Sequence, residues 1–280
     1  MKNGLAIWHY PHRSVLENVD YFAECGFESV SLHGKDMLAL CEDKEAGNRL
    51  AELIKTKNLV LTAHHILPRS HSEENINLYK HFIDTVAVWQ KEHGCLAVLS
   101  FDVPQAIRDN ITPYIDYALN TVEESKIAVE DFGLNPTEKA QIEHLKGNCR
   151  FGYLLDIGHM YIRIRGKNQR GITLFSHSDD EGAINENPTT EDFLTAFKSK
   201  EFPIFEIHLH NNDGENDLHY FLEDGTLEIA TVAKLIKKIG FDGVLTIESA
   251  PGFKFECKYP ESDIRINKTF DYWKKLYAQS

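Results

Sequence analysis

The sequence has few cysteines, no long apolar run and a shortage of basic residues. The five cysteines are scattered and form no CxxC pair, which favours reduced thiols in a cytoplasmic protein over a disulfide framework. No run of about 18 apolar residues occurs and the N-terminal segment has no apolar core, so we expect neither a membrane span nor a signal peptide. Only 30 basic residues stand against 43 acidic ones, and the formal net charge of −13 argues against a nucleic acid as partner.

The sequence also lacks a glycine-rich phosphate loop of the dinucleotide or P-loop type. Eight short apolar segments alternate instead with amphipathic ones. The predicted strands are 4–8, 28–33, 58–64, 95–101, 126–130, 150–156, 204–208 and 244–248. Strands without an alternating polar face are typical of a parallel sheet covered by helices. The count and the length of 280 residues therefore favour an α/β fold with a single (β/α)8 TIM barrel over residues 1–280. A polar stretch without clear periodicity predicts a long loop over 160–188, after the sixth strand.

Ionisable side chains stand at the C-terminal ends of the predicted strands, where such barrels place their active sites. Glu130, Asp156 and Glu248 each end an apolar strand, and a carboxylate there is costly to bury unless it is paired or coordinated. His208 ends the seventh strand and supplies an imidazole. We therefore predict that Glu130, Asp156, His208 and Glu248 hold a divalent metal ion, for which Mn²⁺, Mg²⁺, Co²⁺ and Zn²⁺ are all suitable.

Several motifs resemble those of the xylose-isomerase-like superfamily of TIM barrels. The motifs are TAHHILP, AVEDF, LLDIGH, IHLHNNDG, DLHYFLEDGTLEI and TIES, at or after strands three to eight. This superfamily contains sugar phosphate isomerases and epimerases, ketose 3-epimerases, inosose dehydratases and apurinic endonucleases. The resemblance implies the same four metal ligands and a substrate or metal contact at His159. Asp217 and His219 resemble the D-x-H pair that holds another metal in the endonuclease branch.

Two choices between neighbouring histidines remain open. His64 matches the histidine after strand three better than His65 does. We favour His208 over His210 as the metal ligand because His208 directly ends the apolar run, which leaves His210 to face the substrate or the barrel rim. The predicted substrate-binding residues are His64, His210, Asp217 and His219.

The chain departs from the family pattern at three places. The endonuclease branch has a metal-binding histidine after strand four, where this chain has Ser100, Phe101 and Asp102, which argues against a trinuclear site. Asp131 stands where many relatives have Asn. The stretch 161–186 matches no shared motif. It is either a mobile surface loop or a lid whose cations touch an anionic substrate, with Arg163, Arg165 and Lys167 as candidates.

The predicted function is a divalent-metal-dependent isomerase or epimerase of a small sugar, ketose or polyol. The reaction would transfer a proton through a metal-stabilised enediolate, with Glu130 and Glu248 as the acid/base pair and His159 at the substrate hydroxyls. Trp8, Phe101 and Phe253 line the pocket or simply pack the barrel. A homo-oligomer is compatible with the sequence, and the lack of a phosphate cradle slightly favours a free sugar.

Three other functions are compatible with a metal-binding barrel. A dehydratase of a cyclic polyol needs the same metal and enolate, and the sequence does not separate it from an isomerase. An apurinic-endonuclease-type phosphodiesterase is disfavoured by the acidic charge and the missing strand-four histidine. A non-catalytic sugar-binding barrel is disfavoured by the nearly complete set of ligand-type residues.

Overall fold

Eight parallel strands close into a barrel in which each strand pairs with the next and β8 pairs with β1. The computed structural model describes residues 1–133, 136–165, 189–198, 201–251 and 260–280, with the backbone alone at 195–198. The strands are β1 Lys2–Ala6, β2 Ser29–His33, β3 Val60–Ile66, β4 Leu96–Asp102, β5 Lys126–Glu130, β6 Phe151–Asp156, β7 Ile204–Leu209 and β8 Val244–Ile247. The predicted (β/α)8 barrel is confirmed.

Helices cover the outside of the barrel and separate consecutive strands. They are α1 Val15–Glu24, α2 Gly34–Glu42, α3 Lys44–Thr56, α4 Glu73–His93, α5 Thr112–Thr121, α6 Pro136–Ile142, α7 Ile157–Ile164, α8 Thr190–Lys198, α9 Ile229–Ile239 and α10 Glu261–Gln279. The start of α1 is fixed by the predicted capping box, in which Ser14 Oγ accepts the Glu17 N–H and the Glu17 carboxylate accepts the Ser14 N–H. In the described parts of the chain, no helix is long and apolar enough to cross a membrane.

Successive side chains of each strand point alternately outward, under the helices, and inward, into the barrel. Ile207 and Leu209 of β7 are fully buried in the main apolar core, whereas Glu206 and His208 alternate with them. Glu206 contacts Thr62 of β3 across the interior. The C-terminal end of β7 therefore carries polar side chains toward the barrel axis, and the apolar core lies between strands and helices.

One additional helix and the end of the first strand differ from the prediction. Helix α2 was not predicted; it starts where His33 Nδ1 accepts the Lys35 N–H, and it buries Met37 and Leu40. The first strand ends at Ala6, and the next three residues form a 3₁₀ turn.

The predicted loop 160–188 is wrong over residues 160–164, which belong to α7. Asp156 caps this helix by accepting the His159 N–H at 2.8 Å, and Ile157, Met160 and Tyr161 are buried against the barrel. Eight residues are too few for a visible helical period, which is why the sequence pattern missed the helix. Residues 166–188 lie outside the described residues, so the lid interpretation stays a prediction.

Candidate metal centre and active site

The residues predicted for the site converge on one cluster at the C-terminal ends of the strands. Contacts of 2.8 to 3.9 Å between imidazole nitrogens and carboxylate oxygens link all of them. The linked residues are His64, Glu130, Asp156, His159, His208, His210, Asp217, His219 and Glu248. Donor atoms in this cluster form several groups that could each hold a cation.

The first donor group contains three of the four predicted metal ligands. One donor atom each of Asp156, His208 and Glu248 lies within 4.8 Å of the others. His208 Nδ1 is 2.9 Å from Glu248 Oε2. The fourth predicted ligand, Glu130, is not part of this group. It is linked to the group by His159, whose Nδ1 is 2.8 Å from Glu130 Oε1 and 3.9 Å from Asp156 Oδ2. The structure thus places His208 rather than His210 with Asp156 and Glu248 in this group.

The second donor group combines His159 with three of the residues predicted to bind substrate: His210, Asp217 and His219. Asp217 lies between two imidazoles, 3.2 Å from His159 Nε2 and 3.2 Å from His219 Nε2. His219 Nδ1 is 3.0 Å from the backbone oxygen of Glu248. A carbonyl oxygen can only accept, so Nδ1 carries the proton and Nε2 faces the cluster.

The third donor group is formed by His64, Asp102 and Glu130. The Ser100 hydroxyl donates to the Ala63 oxygen and therefore accepts from His64 Nδ1, at 3.0 Å. His64 Nε2 is then left facing Asp102 Oδ2 and Glu130 Oε2, each 3.5 Å away. A proton or a metal ion at Nε2 would turn these two approaches into favourable interactions, because it places a positive charge between the carboxylates.

Asp102 is a candidate site residue that is not among the predicted site residues, since it stands near the position where the endonuclease branch has a histidine. It is the last residue of β4 and so meets the same strand-end criterion as Glu130 and Asp156. The strand-end criterion could therefore have identified it. With Asp102 in place, the structure contains a third donor group despite the missing histidine.

Burial and neighbouring charges drive the pKa values of the two predicted acid/base residues apart. Burial, together with the negative charge of Asp102, raises the pKa of Glu130 to about 8. Burial would also raise the pKa of Glu248, but His208 and His219 hold it well below its usual range. Near neutral pH the metal-free protein therefore has a protonated Glu130 and an ionised Glu248.

Several buried polar atoms of the cluster form no hydrogen bond, which is the condition expected of metal ligands. These atoms are Asp156 Oδ2, Asp217 Oδ1 and His210 Nε2. His210 Nε2, for example, is only 3.2 Å from Asp156 Oδ1 but is not aligned for a hydrogen bond. A buried set of imidazoles and carboxylates in such proximity fits one or more divalent cations.

A cavity of about 530 Å³ leads from the cluster to the loops after β2 and β3. Its inner end is lined by Trp8, His64, Asp102, Glu130, His159, Asp217, His219 and Glu248. Its outer part is lined by apolar side chains such as Leu38, Leu78 and Phe82, and by Lys35 and Arg69. The volume is in the range of small-molecule sites.

The aromatic residues predicted to line the pocket have different positions. Trp8 lines the cavity, with its ring stacked 6.3 Å from that of His64. Phe101 is fully buried and packs against Tyr79, so it belongs to the barrel packing. Phe253 lies outside the described residues.

The arginines predicted to touch an anionic substrate make protein contacts instead. Arg163 Nη2 is 3.2 Å from Asp131 Oδ1. Arg165 Nη1 donates to the Asp213 oxygen at 3.0 Å. Asp131, where relatives often have Asn, has a left-handed backbone with φ of 46°, an unfavourable conformation that functional sites often contain. Lys167 lies outside the described residues.

Two asparagines of the loop after β7 also hold the site, although the sequence argument assigned them no role. Asn211 is fully buried and bonds four backbone groups, and Asn212 Nδ2 donates to the Gly158 oxygen at 3.0 Å. Gly158 is required here because a Cβ at this position would collide with the imidazole of His210. Asp213 accepts the N–H groups of Glu215 and Asn216, so it shapes the turn.

The closed parallel barrel and its cluster of histidines and carboxylates define a (β/α)8 protein with a cavity at the C-terminal ends of the strands. Residues 19–265 match the family model described as xylose isomerase-like TIM barrel, and the chain belongs to this family.

One relative is similar in sequence over half of the chain, and two solved structures share the fold over nearly all of it. The uncharacterized protein MJ1311 of Methanocaldococcus jannaschii is 26% identical over 149 residues, which cover 52% of this chain and 47% of that protein. The matched part thus spans about half of each. D-psicose 3-epimerase of Clostridium cellulolyticum H10, solved with D-tagatose, has a TM-score of 0.70 at 11% identity, with 99% of both chains covered. The probable 3-DHS dehydratase AsbF of Bacillus anthracis has a TM-score of 0.66 at 14% identity, with 98% of this chain and 99% of that one covered. At these identities, the likeness to the solved structures shows the fold alone.

Proposed function

We propose that this protein is a divalent-metal-dependent isomerase or epimerase of a small sugar, ketose or polyol. The observation that carries the proposal is the pair Glu130 and Glu248. Both carboxyl groups are buried, both line one cavity, and their pKa values are shifted in opposite directions. Pairs of titratable groups with separated pKa values are the pattern expected of an acid and a base that work together.

Each residue of the proposed mechanism has a role that its position supports. A divalent cation held by Asp156, His208 and Glu248 would polarise the sugar carbonyl and stabilise the negative charge of an enediolate. The ionised Glu248 takes the proton from the carbon next to the carbonyl, and the protonated Glu130 returns one to the neighbouring carbon or the opposite face. His159 orients Glu130 through the 2.8 Å contact at Oε1.

In this proposal, the members of the second donor group that line the cavity bind the substrate hydroxyls, or the whole group binds a further cation. Asp217 and His219 line the cavity, and His219 presents Nε2 to it because Nδ1 is bound to the Glu248 oxygen. Buried imidazole and carboxylate groups that hydrogen-bond a hydroxyl discriminate strongly against substrates that lack it. His64 and Trp8 also line the cavity, and their stacked rings offer a flat surface on which a sugar ring would lie.

A dehydratase of a cyclic polyol would use the same residues and is the second candidate. It begins with the same proton removal by Glu248 but then expels a hydroxyl at the β-carbon. Product analysis separates the two, because dehydration gives an unsaturated product and isomerisation conserves the composition.

The test combines metal analysis with proton–deuterium exchange over a panel of ketoses, aldoses and inososes in D₂O. We expect bound divalent metal and exchange at a carbon next to the carbonyl for at least one sugar. Glu130→Gln and Glu248→Gln should each abolish the exchange. Glu143→Gln, at an exposed carboxylate that does not line the cavity, should leave it unchanged. Absence of both metal and exchange in the parent protein would refute the proposal.

A further inference from the structure

Glu206 is a fully buried carboxylate inside the barrel that the proposed reaction does not use. It lies on β7, two residues before His208. Its Oε1 accepts hydrogen bonds from Thr246 Oγ1 at 2.6 Å and from Thr62 Oγ1 at 2.9 Å. Barrel interiors of this fold are usually filled by branched apolar side chains. A carboxylate costs much more to bury than an aliphatic group, so a role as filler does not account for Glu206.

The Glu206 carboxylate faces one ring nitrogen of His208. Glu206 Oε1 is 3.5 Å from His208 Nε2, and on the other side of the ring Nδ1 is 2.9 Å from Glu248 Oε2. His208 Nε2 forms no hydrogen bond to any described residue, so the Glu206 carboxylate is the polar group that it faces. Both ring nitrogens face a carboxylate oxygen, so either can donate a proton when no cation is bound. A cation beside Glu248 would replace the proton on Nδ1 and leave Nε2, which faces Glu206, as the nitrogen that donates.

We propose that Glu206 is a positioning residue that keeps the proton of His208 on Nε2, so that Nδ1 is presented as a metal ligand beside Asp156 and Glu248. The inference rests on the proposed metal site. Histidines that bind metals generally donate their other N–H to a carboxylate, a carbonyl or a water, which fixes the tautomer and the ring orientation and makes the ligand more basic. In this protein the acceptor would be Glu206, which lies on the same strand as His208. Hydrogen bonds from Thr62 of β3 and Thr246 of β8 fix the position of its carboxylate.

Variants at Glu206 and its hydroxyl partners test the inference through metal binding, without relying on activity. Glu206→Gln keeps the shape of the side chain but removes its charge. We expect it to weaken Zn²⁺ affinity, measured by competition with a chelating dye, by about 10- to 100-fold. The visible spectrum of the Co²⁺-loaded protein should change as well, while the melting temperature of the metal-free protein stays close to that of the parent.

Thr246→Val is the matched control, because it removes one hydrogen bond to the same oxygen and leaves the carboxylate facing His208. We expect its Zn²⁺ affinity to fall less than that of Glu206→Gln. An unchanged affinity and Co²⁺ spectrum in Glu206→Gln would overturn the inference and leave the proposed function intact. A parent protein that binds no Zn²⁺, Mn²⁺ or Co²⁺ would overturn both.

A measurement on the unmodified protein covers the case in which the variant does not fold. In the Zn²⁺-loaded parent, ¹⁵N shifts of the histidine rings should show His208 protonated at Nε2 and coordinated at Nδ1. The opposite assignment would refute the role of Glu206.

Discussion

His159 Nδ1 lies 2.8 Å from Glu130 Oε1 and so joins the start of α7 to the end of β5. The other carboxylate oxygen of Glu130 is 3.5 Å from His64 Nε2 on β3. Glu130 therefore belongs to the third donor group and also contacts His159 of the second. This position makes Glu130 the most informative residue for mutagenesis.

We expect Glu130→Gln to reduce proton exchange by at least about 10²-fold, the usual contribution of a general acid or base. The amide can still accept from His159, so the fold should persist, as judged by circular dichroism and the melting temperature. Exchange within about tenfold of the parent would show that another group supplies the proton.

Conversion of the sugar should depend on pH because Glu130 must carry a proton to act as the acid. Burial and Asp102 raise the pKa of Glu130 to about 8, so above this pH the carboxyl group is ionised and cannot return a proton. The rate of conversion should therefore be level below about pH 8 and fall above it, as measured by initial rates across a pH series. Removing the neighbouring negative charge with Asp102→Asn should lower the pKa of Glu130 and move this profile to lower pH. A profile that does not move would contradict the assignment.

The sequence alone predicted the barrel and most residues of the candidate cluster, because both follow from strand ends. Glu130, Asp156 and His208 stand out as ionisable residues that end apolar runs, and parallel strands bring such ends together at one rim. The choice of His208 over His210 as a metal ligand rested on the same argument, and His208 lies within reach of Asp156 and Glu248. His210, which was expected to face the substrate or the barrel rim, is fully buried and is not among the residues that line the cavity.

The features that the sequence did not predict depend on contacts between residues that are distant in sequence or on a single capping residue, and neither leaves a hydrophobic period. Helix α7 is too short to show a period, and its start depends on the cap at Asp156. Glu206 was read as part of an apolar strand, since its partners Thr62 and Thr246 are 144 and 40 residues away in sequence. Ser100, the neighbour of His64 on the adjacent strand, determines which nitrogen of His64 faces the cluster.

Asp102 should determine how many cations the protein binds. With His64 and Glu130 it forms a donor group separate from the other two, so we expect more than one divalent ion per chain. Asp102→Asn should lower the stoichiometry by one in metal analysis after dialysis, because an amide oxygen is a weaker ligand than a carboxylate. Asp102→His, which restores the residue type of the endonuclease branch, should retain the ion. Equal stoichiometry in the parent and the Asn variant would show that this group holds only a proton.

Lys35 and Arg69 should favour substrates that carry a negative charge away from the reacting carbons. Both are exposed at the outer part of the cavity, and among the described residues no carboxylate forms an ion pair with either. Arg69→Ala should raise KM for a phosphorylated or carboxylated sugar by about tenfold relative to its neutral counterpart and leave kcat nearly unchanged, whereas Arg69→Lys should recover part of the effect. Lys44→Ala, at a cation that does not line the cavity, is the control. An equal change for charged and neutral sugars would exclude a charge effect.

Asn211 should contribute strongly to stability because its side chain bonds buried backbone groups of the loop after β7. Nδ2 donates to the oxygens of Leu222 and Leu227 at 2.7 and 3.0 Å, and Oδ1 accepts the N–H groups of Asn212 and Leu227, both at 2.9 Å. Asn211→Ala leaves these groups buried without partners, which should lower the free energy of unfolding by about 2–4 kcal/mol in urea titrations. Metal affinity should fall too, since the same loop carries Asp217 and His219.

The control for Asn211→Ala is Asn216→Ala in the same loop. The exposed Asn216 side chain makes one hydrogen bond, to Asp213 Oδ2 at 2.9 Å, and its loss should change stability by no more than about 0.5 kcal/mol. If both variants unfold at the same urea concentration, water replaces the Asn211 contacts and the loop is held by its apolar residues, such as Phe221 and Leu222, which are almost fully buried. If only Asn211→Ala is destabilised, the buried amide is what fixes the segment that carries the second donor group.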